Sequence, residues 1–294
     1  MPIAIQKFLH VDNKKCQISL TNTNLKPHHV CMLRHGVEVN KLQSFIACIA
    51  DVFVEVTTSD NILSIVQMKE HIINSINLDS FLTYQNGNLP KIFGSDKDVN
   101  VDNYTNTKIY KSIGRDTEYL RKIISAYENF VDFLRDDNIL IDQTYLWDII
   151  CQPNPNLFPQ GINLVIIEMP DDDITNNVQI ICPTNHYSNT FFDINKKTLI
   201  LVKRDLYYEP IYAFEDIETN FRVTRLFSLK NRYILPNIKN VLEMIKISLN
   251  DKCGPLPSLP NKYTFKTNLP LSKMISKLTS LILAETSKQT VGNG

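Results

Sequence analysis

Glycine is scarce in this chain of 294 residues, at 8. No cluster of them has the spacing that lets backbone amides cradle a phosphate, so P-loop and Rossmann nucleotide sites are excluded. Long apolar runs are missing too. None approaches the roughly 20 residues that cross a bilayer, and the opening MPIAIQKFLHVDNKK lacks the apolar core and cleavage site of a secretory signal. Charge excess is missing: Lys+Arg and Asp+Glu stand at 31 each, so no net field draws nucleic acid or an anionic membrane. Paired cysteine spacing is missing as well. Cys16, Cys31, Cys48, Cys151, Cys182 and Cys253 are scattered, which in a chain of this length predicts reduced thiols in an intracellular compartment. No cofactor is expected.

What remains is ordinary globular composition, 43% hydrophobic and 21% charged, enough for a substantial core. The organising stretch is 157–214. Four short apolar runs there, 162–168, 178–182, 198–202 and 207–214, are rich in Val, Ile and Tyr and are bounded by Pro, Asp and Asn, the pattern of β-strands. Residues 164–167 and 199–202 are apolar almost without interruption, which predicts strands covered on both faces at the centre of a sheet. A fifth strand is expected over 221–228. Helical spacing predicts the cover. Leu42, Phe45, Ile46, Ile49 and Phe53 mark a buried helix over 41–53, with Asn40 ahead of it as N-cap. Further helices are expected near 62–76 (capped by Ser59 or Asp60), 79–85, from Asp116 through Leu134, at 143–151 around the only tryptophan, Trp147, and at 237–249. The polar text of 88–112 reads as an exposed, mobile insertion, and residues 1–35 give no clear pattern.

This organisation predicts a single α+β domain over 1–252, with a central mixed sheet of about five strands. A Pro-rich linker follows at 253–262, then an amphipathic helix and tail over 263–294. Leu271, Met274, Ile275, Leu278, Leu281 and Ile282 form one apolar face on that helix. Such a face after a linker is expected to dock on its own domain or on a protein partner: the chain's own further polypeptide, a second copy, or a foreign protein.

Two clusters carry possible metal chemistry. Cys31 with His35 and Cys182 with His186 repeat a Cys-x-x-x-His spacing, weak candidates for a tetrahedral zinc site. Asp171, Asp172 and Asp173, with Glu168 before them and Lys203 on a neighbouring strand, have the residue types of a divalent-cation nuclease but not its offsets. A solvated turn is the better reading of that acidic run.

The segment QSFIACIAD, residues 43–51, resembles the nucleophile helix of the ovarian-tumour-type cysteine proteases, and YYEPI, 207–211, resembles their late central strand. The order between them also fits: helices, Trp147, then Leu157-Phe158-Pro159 leading into a strand. The resemblance covers about two-thirds of the chain and implies a papain-like core. It fails where chemistry would sit: Ser44 stands at the position of the nucleophilic Cys and Tyr207 at that of the His. The Asp-Gly pair ahead of the nucleophile is absent, Gly36 and Glu38 being a poor substitute. A serine without a base is inert, and a tyrosine of ordinary pKa near 10 is no base at neutral pH. The resemblance thus implies a degenerate protease core, with a ubiquitin-like protein among the expected partners; in a working hydrolase the nucleophile would be Cys48, the fallback, or Cys31 or Ser44. The text TYLWDIICQPNPNLFPQGINLVIIEMPDDDITNNVQIICPTNHYS also resembles long, uncharacterised proteins of giant DNA viruses, which implies a host-cell cytoplasm or virion location and a longer parent polypeptide. The combined expectation is a non-catalytic protein-interaction module. The alternative is a cysteine-protease or deubiquitinase-like hydrolase.

Overall fold

The structure, a computed structural model, describes every residue except 58–60, 170–177, 184–191, 218–219, 233, 254–270 and 292–294. In the last two helices the side chains at 248, 250–252, 271–272, 274 and 285–291 are also left undescribed. The chain divides into two compact units, Met1–Pro255 and Leu256–Gly294.

The first unit is an α+β fold built on a six-stranded mixed sheet. Its strands are β1 (Val30–Arg34), β2 (Ile162–Glu168), β3 (Gln179–Ile180), β4 (Lys197–Arg204), β5 (Tyr207–Asp216) and β6 (Phe221–Thr224). The order is β1-β5-β4-β2-β3, with β6 also on β5. β2 and β4 are parallel, in a register that sets Leu164 beside Leu199 and Glu168 beside Lys203; the remaining pairings are antiparallel. The uninterrupted apolar runs explain this central position: Ile162 to Ile167 and Thr198 to Val202 are buried on both faces. A tight turn precedes β2, and there Gly161 is required. Its φ is +66°, and a Cβ would lie 2.2 Å from the Cys151 carbonyl oxygen, so any side chain clashes with backbone.

Helices cover the sheet: α1 (Ile3–Phe8), α2 (Ser44–Thr57), α3 (Ile65–Asn74), α4 (Leu78–Phe81), α5 (Leu89–Ile92), α6 (Lys108–Ile113), α7 (Glu118–Arg135), α8 (Gln143–Cys151) and α9 (Pro236–Lys252). α2 lies against β5, and its residues 44 to 53 are all buried, Phe45 and Ile49 completely. Asn40 caps the turn that leads into it, its side-chain oxygen accepting from the Leu42 and Gln43 amides. The cap of α3 is Ser64, in a capping box with Gln67; Ser59 and Asp60 lie outside the described residues.

Residues 88–112 depart from the expected exposed insertion. Leu89, Phe93, Val99 and Val101 are core residues, and the Phe93 ring packs against Phe130, Phe133 and Tyr145. The segment shows no sustained helical period because it folds as short pieces, α5, a 3-10 turn at Val101–Tyr104 and α6, joined by loops. β1 is the second departure: it adds an edge strand from the unreadable first 35 residues.

The cysteines are the third. Cys16 is joined to Cys31 and Cys182 to Cys253 by disulfide bonds, leaving Cys48 and Cys151 free. The expectation of reduced thiols throughout is overturned for these four. Separations of 15 and 71 residues carry no sequence signal, and only folding brings the Cα atoms within 5.8 and 5.2 Å. Cys253, expected in the linker, is buried at the end of α9. No helix among the described residues is long and apolar enough to cross a membrane.

The second unit contains one described helix, α10 (Leu271–Val291), which continues beyond the last apolar position of the face, Ile282. The rest of the expected linker lies outside the described residues.

Candidate functional site at the α2–β5 junction

Ser44, Cys48 and Asp51 fall at intervals of four and three along α2 and so share one face. Tyr208 and Tyr212, four apart, share one face of β5. The two faces meet. At the helix start, the Ser44 hydroxyl oxygen accepts the Tyr208 amide hydrogen at 2.9 Å and donates to the Leu206 carbonyl at 3.5 Å. Leu206 belongs to the two-residue turn between β4 and β5, where Asp205 takes a left-handed φ of 54°. The serine therefore ties that turn to the helix, and its proton and an acceptor lone pair are both engaged. Beside it the Tyr208 hydroxyl donates to Gln143 Oε1 at 2.5 Å, and burial raises that phenol well above its ordinary value.

One turn further, Cys48 is fully buried. Burial first, then the Asp51 charge, pushes its thiol well above the usual thiol range, so the nucleophilic thiolate is suppressed. Cys151, the second free thiol, is pushed up to about 12, again chiefly by burial.

At the next turn Asp51, 2% exposed, organises a polar cluster. The Tyr212 hydroxyl donates to its Oδ2 at 2.5 Å, His35 Nε2 lies 3.4 Å from its Oδ1, and Arg225 Nε stands 3.5 Å from Oδ2. That last contact is an ion pair without hydrogen-bond alignment, since Arg225 Nε has no hydrogen-bond partner. Arg225 also reaches Glu55 at 3.2 Å and lies over the Tyr212 ring at 5.8 Å. Burial and the Asp51 carboxylate together raise the Tyr212 phenol strongly. A signal for this cluster was present in the sequence: an aspartate in the apolar text IACIADVF is a charge with no solvent face, which requires partners.

The structure thus sets positions 44 and 207–208 side by side. Tyr207 itself is half-buried and, by strand alternation, lies on the opposite face of β5 from Tyr208. Its phenol is raised from its ordinary value, mainly by burial, so it holds its proton at neutral pH. Among the described residues no hydrogen bond joins Ser44, Cys48 or Cys151 to a histidine, and His35 is directed at Asp51.

The zinc pairing is corrected. Cys31 and His35 sit four residues apart in extended backbone, about 13 Å along the strand; Cys31 is bonded to Cys16 and His35 faces Asp51. Cys182 is bonded to Cys253, and His186 lies outside the described residues. Asp171, Asp172 and Asp173 also lie outside them, while Glu168 and Lys203 pair with each other at 2.7 Å, as their register dictates.

No protein-family model matches the chain, and no curated protein matches it. Among solved structures, an OTU deubiquitinase from Wolbachia pipientis wMel is similar to it at 11% identity and a TM-score of 0.31, over 64% of this chain and 91% of the other. A likeness of that depth assigns neither fold nor activity.

Proposed function

We propose that this chain is a non-catalytic protein-interaction module, of the kind of giant-DNA-virus protein that its text resembles. The carrying observation is the Ser44 hydroxyl: it is engaged as donor and acceptor in holding the β4–β5 turn. The one cysteine on the same face, Cys48, is sealed from solvent and held as a thiol. A hydrolase needs a nucleophile within reach of a base and of substrate, and neither residue meets that need. The interaction half of the reading is supported by α10, where Ile275, Leu278 and Ile282 are exposed on one face.

The test uses an activated ubiquitin probe together with serine- and cysteine-directed covalent reagents on the folded protein. No stoichiometric adduct at Ser44 or Cys48 is expected. Labelling of either that is lost on unfolding overturns the non-catalytic reading. For the interaction half, the full chain is compared with one truncated after Pro255 by light scattering and thermal melting. A lower mass on truncation identifies a second copy as partner, and unchanged mass and melting point leave a foreign protein. A large drop in melting temperature at constant mass makes α10 an ordinary part of the fold and overturns that half.

A further inference from the structure

The chemistry left unused by the α2–β5 junction lies at the sheet edge. Cys16 ends a 3-10 turn, Asn13–Cys16; Cys31 is on β1; His29 immediately precedes β1. Their two sulfurs and a His29 ring nitrogen all lie within 4.8 Å of one another. Both cysteines are buried and the histidine is half-buried. The backbone around this trio is also held by hydrogen bonds that do not involve the sulfur atoms. The Lys26 amide donates to the Cys16 carbonyl at 2.8 Å, the His29 amide to Lys26 at 3.2 Å and the His28 amide to Asp216 at 2.8 Å, and Gln17 and Leu25 form an antiparallel bridge. The Asp12 side chain caps the 3-10 turn through the Lys14 amide at 3.0 Å. Reducing the disulfide therefore leaves the two thiols and the imidazole in place.

We propose that, with the Cys16–Cys31 bond reduced, this trio binds one zinc-class divalent ion through two thiolates and the His29 imidazole. Zinc bonds of about 2.0–2.3 Å in a tetrahedron put ligand atoms about 3.5–3.8 Å apart, inside the observed span, so small side-chain rotations suffice. Two soft sulfurs and one imidazole select zinc over magnesium or calcium. The fourth position faces a cavity of about 550 Å³ that His10, Asp12, Cys16, His28 and His29 help to line. There a water, or the side chain of His10, Asp12 or His28, completes the shell. The redox step balances with a dithiol as reductant: it gives two electrons and two protons, the Sγ–Sγ bond breaks, two thiols form, and the dithiol leaves as its own cyclic disulfide. Zinc then displaces both thiol protons. Oxidation and metal occupancy are thus mutually exclusive at this site, which makes it a redox-gated metal site.

The experiment reduces the full chain with dithiothreitol, removes the reductant anaerobically and titrates with cobalt(II), then with zinc(II). One equivalent of cobalt is expected to give thiolate charge-transfer and tetrahedral d–d absorption. Zinc should abolish both and remain bound, one per chain, after desalting. The never-reduced protein should take up none, a comparison that needs no mutation. Cys16→Ser should lose the signal, His29→Ala should weaken binding by at least about tenfold, and Cys182→Ser should leave it unchanged, with circular dichroism verifying the fold of each. Absence of the cobalt spectrum in the reduced wild type, equal uptake by the never-reduced protein, or full binding in Cys16→Ser overturns the proposal and leaves a structural disulfide only.

Discussion

The α2–β5 junction and the β1 edge hold similar chemical types, a cysteine, a histidine and neighbouring carboxylates, yet they differ in what the fold has done with them. At the junction each polar group has a partner inside the protein. Ser44 holds the β4–β5 turn, Tyr208 holds Gln143, and Tyr212, His35 and Arg225 surround Asp51. At the edge the 3-10 turn and the loop into β1 bring Cys16, His29 and Cys31 together beside an open cavity. There the two sulfurs are committed to each other rather than to the surrounding fold. The position that resembles an active site is the one whose functional groups are taken up in building the structure.

The sharpest way to break this contrast is at Asp51. Asp51→Ala strands the buried Tyr212 hydroxyl and removes one of the two carboxylates that face Arg225, leaving Glu55. A loss of roughly 3 kcal/mol is expected, at the low end for a broken buried pair because Arg225 and His35 keep a path to water. Chemical denaturation measures it, and a loss below about 1 kcal/mol would contradict the structural role given to the cluster.

Tyr212→Phe is next, with about 2 kcal/mol expected from losing a hydrogen bond to a charged group. It carries a pH signature. The folded phenol is raised above the unfolded value near 10, so between those values the unfolded chain releases a proton that the folded chain keeps. Its contribution is fully present below about pH 10 and is lost as pH rises beyond that. Melting temperatures followed into alkali should fall for the native protein, and Tyr212→Phe should flatten that limb. An unchanged limb would show that another group governs alkaline unfolding.

Ser44→Ala should cost about 1–2 kcal/mol by leaving the Tyr208 amide unpaired in the interior. If the same change also abolished a measurable hydrolytic activity, the contrast between the two regions would collapse. The smallest effect belongs to the edge strand. The ion pair of Arg34 with Glu209, at 2.6 Å and partly solvated, should be worth less than about 1 kcal/mol, read from the melting of Arg34→Ala in low and high salt.

The core of the fold was legible because its signals are local. Continuous apolar text over 164–167 and 199–202, short and bounded by turn residues, reads as doubly covered strand. Phe45, Ile46 and Ile49 at helical spacing required burial, and both readings hold in the structure. The segment 88–112 was not legible, because Phe93 earns its place through three aromatic rings distant in sequence. The junction was half legible: a family resemblance, not any local pattern, paired residues 44 and 207, and only the coordinates show where the Ser44 proton goes.

By itself, then, the sequence determined the class of fold, the central strands, the helix that covers them and the absence of a phosphate-binding loop. Each follows from periodicity or from residues that cannot be anywhere else. Tertiary structure alone decided the disulfide partners, the grouping of Asp51 with His35, Tyr212 and Arg225, and the approach of His29 to two sulfurs. Those depend on distances between segments that no local pattern encodes, and a few ångströms there separate a ligand from a bystander.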